Sequence, residues 1–157
     1  MSHLSTRHDN KDHGVLNSDL ILSLVARESP TECKIHNHEL YRIGNLADVS
    51  HIRKLDIAFN SLTNIDGLDQ LPALRELSCY SCRLEDVEGI RGMNKLEYLY
   101  FQQNQIEELP DLFQNMHKLK ELRFDRNGLT KLYHHLNGCN ALRKLDLGYN
   151  RIDDISK

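Results

Sequence analysis

Tryptophan is absent from the 157 residues, phenylalanine occurs four times and proline three times. A core built around a few bulky aromatic rings is therefore excluded. At 39% hydrophobic residues the chain still has enough apolar material to escape general disorder. The longest apolar stretch, Leu20 to Ala26, is far too short to cross a bilayer. The first fourteen residues, MSHLSTRHDNKDHG, are polar where a secretory signal needs an apolar run. Basic runs are missing as well, and the net charge of -3 offers no long-range attraction to phosphate backbones or anionic membranes. The chain contains no glycine-rich phosphate loop, G-x-S-x-G elbow or H-E-x-x-H helix. From these absences we expect no enzyme, no cofactor, no bound metal, no direct nucleic-acid or membrane partner, and a cytoplasmic location.

Leucine, by contrast, fills 26 of the 157 positions, about one in six. Its placement is periodic. The segments starting at Ile52, Leu74, Leu96, Leu119 and Leu142 align without gaps in their first halves, at steps of 22, 22, 23 and 23 residues. In Leu55-Asp56-Ile57, Leu77-Ser78-Cys79, Leu99-Tyr100-Phe101, Leu122-Arg123-Phe124 and Leu145-Asp146-Leu147 the apolar period is two, which places an apolar pair inward and the middle residue outward on a short strand. Repetition then predicts a parallel sheet. Beyond each strand stands Asn60, Cys82, Asn104, Asn127 or Asn150, a column in which an amide can both donate to and accept from backbone groups buried at a bend. Cys82 is expected to make the weakest rung, because a thiol bonds poorly.

The recurrent L-x-x-L-x-L-x-x-N/C-x-L resembles the leucine-rich repeat. That resemblance implies an α/β solenoid, a right-handed horseshoe with a parallel concave β-sheet and short helical or 3₁₀ convex segments. Strands stack about 4.8 Å apart and helices about 8 to 10 Å, so such an array curves with its sheet inside. The copies ending DGLDQL and EGIRGM resemble the 22-residue Sds22-like class, and Glu108-Leu109-Pro110-x-x-Phe113 resembles the 23-residue intracellular class.

The reading divides the chain into a flexible polar tail over 1–14, carrying His3, His8 and His13, and one repeat domain over 15–157. Within the domain it places a cap helix over 18–29, started by Asn17 or Ser18 with Leu20, Ile21, Leu24 and Val25 on one face, a degenerate repeat over 33–51, and five repeats over 52–157. The fifth stops after Ile155. Solenoids are capped at their ends, so this abrupt stop predicts either a sequence that continues or an edge that pairs with a partner.

Two motifs are set aside. Cys79-Tyr80-Ser81-Cys82 has C-x-x-C spacing, but the repeat register puts Cys79 inward and Cys82 in the bend column, and no second ligand pair follows. Together with Cys33 and Cys139 they are read as reduced core thiols. His134-His135 has no acidic or thiol partner in sequence and reads as solvated surface.

The outward strand positions define the candidate site: Tyr80, Tyr98, Tyr100, Gln102, Arg123, Asp125 and Asp146, with Phe59, Arg126 and Tyr149 from the position before each Asn. Tyrosine and arginine combine contact area with a polar handle and often carry interface energy. The charges among them have a purely structural alternative, lateral neutralisation of Lys54 by Glu76, Glu121 by Lys144 and Arg123 by Asp146. The function expected is a protein-interaction scaffold that binds a partner on the concave face; the Sds22-like resemblance implies a regulatory subunit or a cilium- or cytoskeleton-associated adaptor, with cilium or nucleus as alternatives to the cytoplasm. Two alternatives stay open: a ribonucleoprotein-assembly component resembling the U2 snRNP A′ protein, and a targeting domain of a longer protein.

Overall fold

The computed structural model describes residues 13–153. Most of the expected tail, including His3 and His8, and the end of the fifth repeat with Ile155 lie outside the described residues.

Six three-residue strands form one parallel sheet: β2 (Glu32–Lys34), β4 (Lys54–Asp56), β5 (Glu76–Ser78), β6 (Tyr98–Tyr100), β7 (Glu121–Arg123) and β8 (Lys144–Asp146). Their register follows the repeat, with Leu55 opposite Leu77, Leu99, Leu122 and Leu145 in turn. The degenerate copy supplies the first rung, Cys33 opposite Leu55. Between strands the chain returns through 3₁₀ turns at Ala47–Val49, Leu68–Gln70, Glu88–Ile90, Asp111–Asn115 and His134–Leu136. The fold is the α/β leucine-rich solenoid. Its core is one continuous stack of inward Leu, Ile and Val side chains, with Phe101, Phe113 and Phe124 thickening the middle. Two glycines mark where backbones approach too closely for any side chain. A Cβ on Gly89 would lie 2.1 Å from the Ile65 carbonyl oxygen, and one on Gly138 would lie within bonding distance of the Gln114 carbonyl.

The Asn column works as its chemistry requires. Asn104 accepts from the N–H groups of Cys82 and Leu84 at 3.0 and 2.9 Å and donates to the carbonyls of Cys79 and Phe101 at 2.9 and 2.8 Å. Asn60 does the same for His38, Leu40, Ile35 and Ile57. Cys82 keeps the donor half, its thiol reaching the Ile57 carbonyl at 3.1 Å. A thiol is a weak acceptor, so the paired acceptance seen at Asn60 and Asn104 has no amide to make it at that rung. All four cysteines are free and buried, as expected of core thiols.

The N-terminal cap differs from expectation. The helix α1 spans Ser18–Leu24 rather than 18–29. Asn17 caps it, its side chain accepting from the Leu20 N–H at 2.9 Å. At Val25 the backbone turns extended, and a separate turn closes from the Ser29 N–H to the Ala26 carbonyl ahead of Pro30, which disfavours helix at the residue before it. Of the predicted apolar face only Ile21 is buried, whereas Leu24 is exposed. The cap is completed instead by a second, two-stranded parallel sheet, β1 (Val15–Leu16) against β3 (Arg42–Ile43), which the sequence reading did not foresee. It extends order into the expected tail: Gly14 is buried at φ 74, its carbonyl accepts from Tyr41, and a Cβ there would strike the Tyr41 ring.

Candidate protein-binding face

The parallel register turns the outward side chains into a grid. Its first row runs Lys54, Glu76, Tyr98, Glu121, Lys144, and its second runs Asp56, Ser78, Tyr100, Arg123, Asp146. Backbone bonds continue the register past the strands, from the Phe59 N–H to the Tyr80 carbonyl, Ser81 to Gln102, Gln103 to Asp125 and Arg126 to Gly148. A third row therefore holds Tyr80, Gln102, Asp125 and Gly148. A ridge of Phe59, Ser81, Gln103, Arg126 and Tyr149 borders it.

The expected charge pairs form: Lys54 with Glu76 at 3.7 Å, Lys144 with Glu121 at 2.8 Å and Arg123 with Asp146 at 3.5 Å. These pairs are half-exposed, so each contributes under about 1 kcal/mol. Glu97, placed where the chain enters β6, binds both Arg75 and Lys120. Donation from Lys120, then from Arg75, holds its carboxyl below the usual glutamate range.

The aromatic residues divide into three groups. Tyr98 and Tyr100 lie side by side on β6, half-buried, and the Lys120 ammonium lies 5.7 Å from the Tyr98 ring centre. Burial, reinforced by Glu121 and Glu76, pushes the Tyr100 phenol up, so it stays protonated and able to donate. Tyr80 instead meets Phe59 edge to face at 4.9 Å, and His36 extends that contact at 6.0 Å from Phe59. At the far end Arg126 stacks on Tyr149 at 4.6 Å, and Tyr149 is 79% exposed. Among the described residues the three tyrosines thus flank the sheet centre without forming one ring stack. Gln102, expected outward, is buried.

Two features escaped the sequence reading. His36 joins the face through β2 and sits 2.8 Å from Asp56, because the degenerate repeat contributes a regular rung. In addition every ridge residue has a left-handed backbone, with φ of 57, 55, 54, 59 and 55 from Phe59 to Tyr149. Non-glycine residues adopt that conformation at a cost, and here it turns five side chains out along one rim. The signal was available as one fixed position before each Asn or Cys of the column. Among the described residues no group of three or more His, Cys, Asp or Glu side chains is arranged to hold a metal ion, and no helix is long and apolar enough to cross a membrane.

Comparison with known proteins matches this architecture. Family profiles described as leucine rich repeats match residues 50–92, 72–114 and 109–152. A human protein, volume-regulated anion channel subunit LRRC8E, is 26% identical over 117 residues, 71% of this chain but 15% of that protein. Among solved structures, an internalin (inlF) from Listeria monocytogenes superposes with a TM-score of 0.62 at 19% identity, over 79% of this chain and 45% of that one. A repeat protein from Leptospira interrogans superposes at 0.52 with 22% identity, over 72% and 38% of the two chains. The chain therefore spans under half the length of each of these proteins, and the two structural likenesses speak to fold alone.

Proposed function

The chain belongs to the leucine-rich repeat family, and from that premise we propose that it is a non-enzymatic module binding a protein partner on the concave face of its six-stranded sheet. Leucine-rich repeat domains generally serve as interaction scaffolds. The observation that carries the reading here is the pair Tyr98 and Tyr100 on the central strand β6, half-buried and facing outward, with Arg123 beside Tyr100. The inward leucines and the Asn column form the core and the bends, and these rings stand on the opposite, outward face of the sheet. Large rings with a donor hydroxyl are the groups that give a partner both contact area and direction.

An adaptor or regulatory-subunit role follows from the resemblance of the 22-residue copies to the Sds22-like class. Four buried, unpaired cysteines support a reducing compartment, and the cytoplasm is proposed on that ground.

The test is affinity purification with the intact protein and with the Tyr98→Ala/Tyr100→Ala double variant. One or a few partners should be lost while circular dichroism is unchanged. An identical partner set would overturn the concave-face reading.

A further inference from the structure

Besides His36 Nε2, which faces the Asp56 carboxylate at 2.8 Å, three polar atoms on the concave face are buried with no hydrogen-bond partner: the Gln102 side-chain oxygen, one Asp125 carboxylate oxygen and the Arg123 Nε. They sit on adjacent squares of the grid. Gln102 and Asp125 are lateral neighbours on the third row, tied by the backbone bond from the Gln103 N–H to the Asp125 carbonyl, and Arg123 precedes Asp125 by two residues on the same face. Gln102 is only 9% exposed, and its side-chain oxygen meets no protein donor.

The charges of the face single out the same spot. Glu32 and Glu76 share Lys54, Asp56 has His36, Glu121 has Lys144 and Asp146 has Arg123. Asp125 has no ion-pair partner among the described residues. The two arginines that flank it in the chain contact other groups, Arg123 the Asp146 carboxylate and Arg126 the Tyr149 ring. Beyond Asp125 the row ends in Gly148, whose N–H donates to the Asp146 carboxylate at 3.0 Å, and Tyr80 and Tyr100 border Gln102 on its other sides.

We propose that this spot is the seat of a cationic side chain, arginine or lysine, from an extended segment of the protein partner. Its N–H groups donate to the Asp125 carboxylate and the Gln102 carbonyl, its charge completes the pairing of the face, and the neighbouring tyrosine rings cover it. The free Arg123 Nε donates to a backbone carbonyl of the same segment.

This inference rests on the concave-face reading, and its test separates the two. Labelled protein is titrated, with NMR detection, with a terminally blocked pentapeptide of sequence serine-glycine-arginine-glycine-serine and with its glutamine and glutamate counterparts. The arginine peptide should shift the Gln102 side-chain amide and the Asp125 backbone amide, bind about fivefold or more tightly than the glutamine peptide, and lose that advantage in Asp125→Asn. Equal response to all three peptides, or an arginine response unchanged in Asp125→Asn, overturns the cation seat. If that happens while Tyr98→Ala/Tyr100→Ala still removes a partner, the concave-face reading survives alone. If neither the peptides nor the tyrosine variant show an effect, both fall.

Discussion

Replacing Asn104 by alanine tests the physical basis of the fold most directly. The side chain accepts from two N–H groups, Cys82 and Leu84, and donates to the carbonyls of Cys79, Phe101 and Gln102. It is 9% exposed. Gln102 retains a second bond from the Ser81 N–H and Phe101 one from the Asn127 side-chain amide, so alanine would orphan two donors and one acceptor. A buried polar group left without a partner costs about 1 to 3 kcal/mol. Water entering the volume left by the amide offsets part of this, giving a net loss of about 3 to 5 kcal/mol. For a chain of this size that corresponds to a melting temperature lower by roughly 10 to 15 °C. Cys82→Asn is the reciprocal experiment, since it puts a stronger amide acceptor at the one rung built on a thiol, and should gain about 1 kcal/mol. Urea titrations followed by far-ultraviolet circular dichroism read both, with Asn140→Ala on the exposed surface as the neutral control. An Asn104→Ala loss below about 1 kcal/mol would refute the claim that the amide column holds the bends.

Four further outcomes follow from the same coordinates. Gly89→Ala places a Cβ 2.1 Å from the Ile65 carbonyl oxygen, so it should cost about 1 to 3 kcal/mol in chemical denaturation, and a neutral result would deny the close approach of those rungs. Gln103 holds φ 54 on the exposed ridge. Gln103→Gly should gain up to about 1 kcal/mol while Gln103→Val loses stability, and equal stabilities would mean the left-handed ridge is not formed. Burial pushes the thiols of Cys33 and Cys82 up to about 11 and those of Cys79 and Cys139 upward too. Iodoacetamide at about pH 8 should then modify no cysteine in the native protein and all four after unfolding, as counted by intact mass. The Glu97 carboxyl is held below its ordinary 4.5, so its share of stability is fully present above that pH and is lost as pH falls through the lower folded value. Glu97→Gln should flatten the dependence of melting temperature on pH as pH falls below the ordinary glutamate value of 4.5, and a curve of unchanged steepness would refute that linkage.

The five strands of the aligned copies, their register, the inward core and the column from Asn60 to Asn150 are all readable from spacing, because a repeat that stacks on itself leaves one arrangement satisfying every copy. The three lateral charge pairs are readable for the same reason. What escaped lies where the repeat is broken or where neighbours decide. The α1 helix stops at Leu24 because Val25 turns extended, although the leucine pattern continues. Strand β1 exists only because the degenerate copy offers β3 as an edge to pair with. Tyr80 leaves its fellow tyrosines because Phe59, carried on a left-handed residue, presents its ring first.

By itself the sequence determined the solenoid, since period-two strands at steps of 22 and 23 residues can bury their leucines only against copies of themselves. It also determined which residues face out. Only the tertiary structure decided what those outward residues amount to. Beyond the three lateral charge pairs it sets Glu32 beside Lys54 and Asp56 beside His36, while among the described residues Asp125 has no ion-pair partner and the Gln102 side-chain oxygen no protein donor. Pairing depends on how far each side chain reaches across a 4.8 Å strand spacing, and on which of two candidate partners a cation chooses. No one-dimensional pattern encodes that choice.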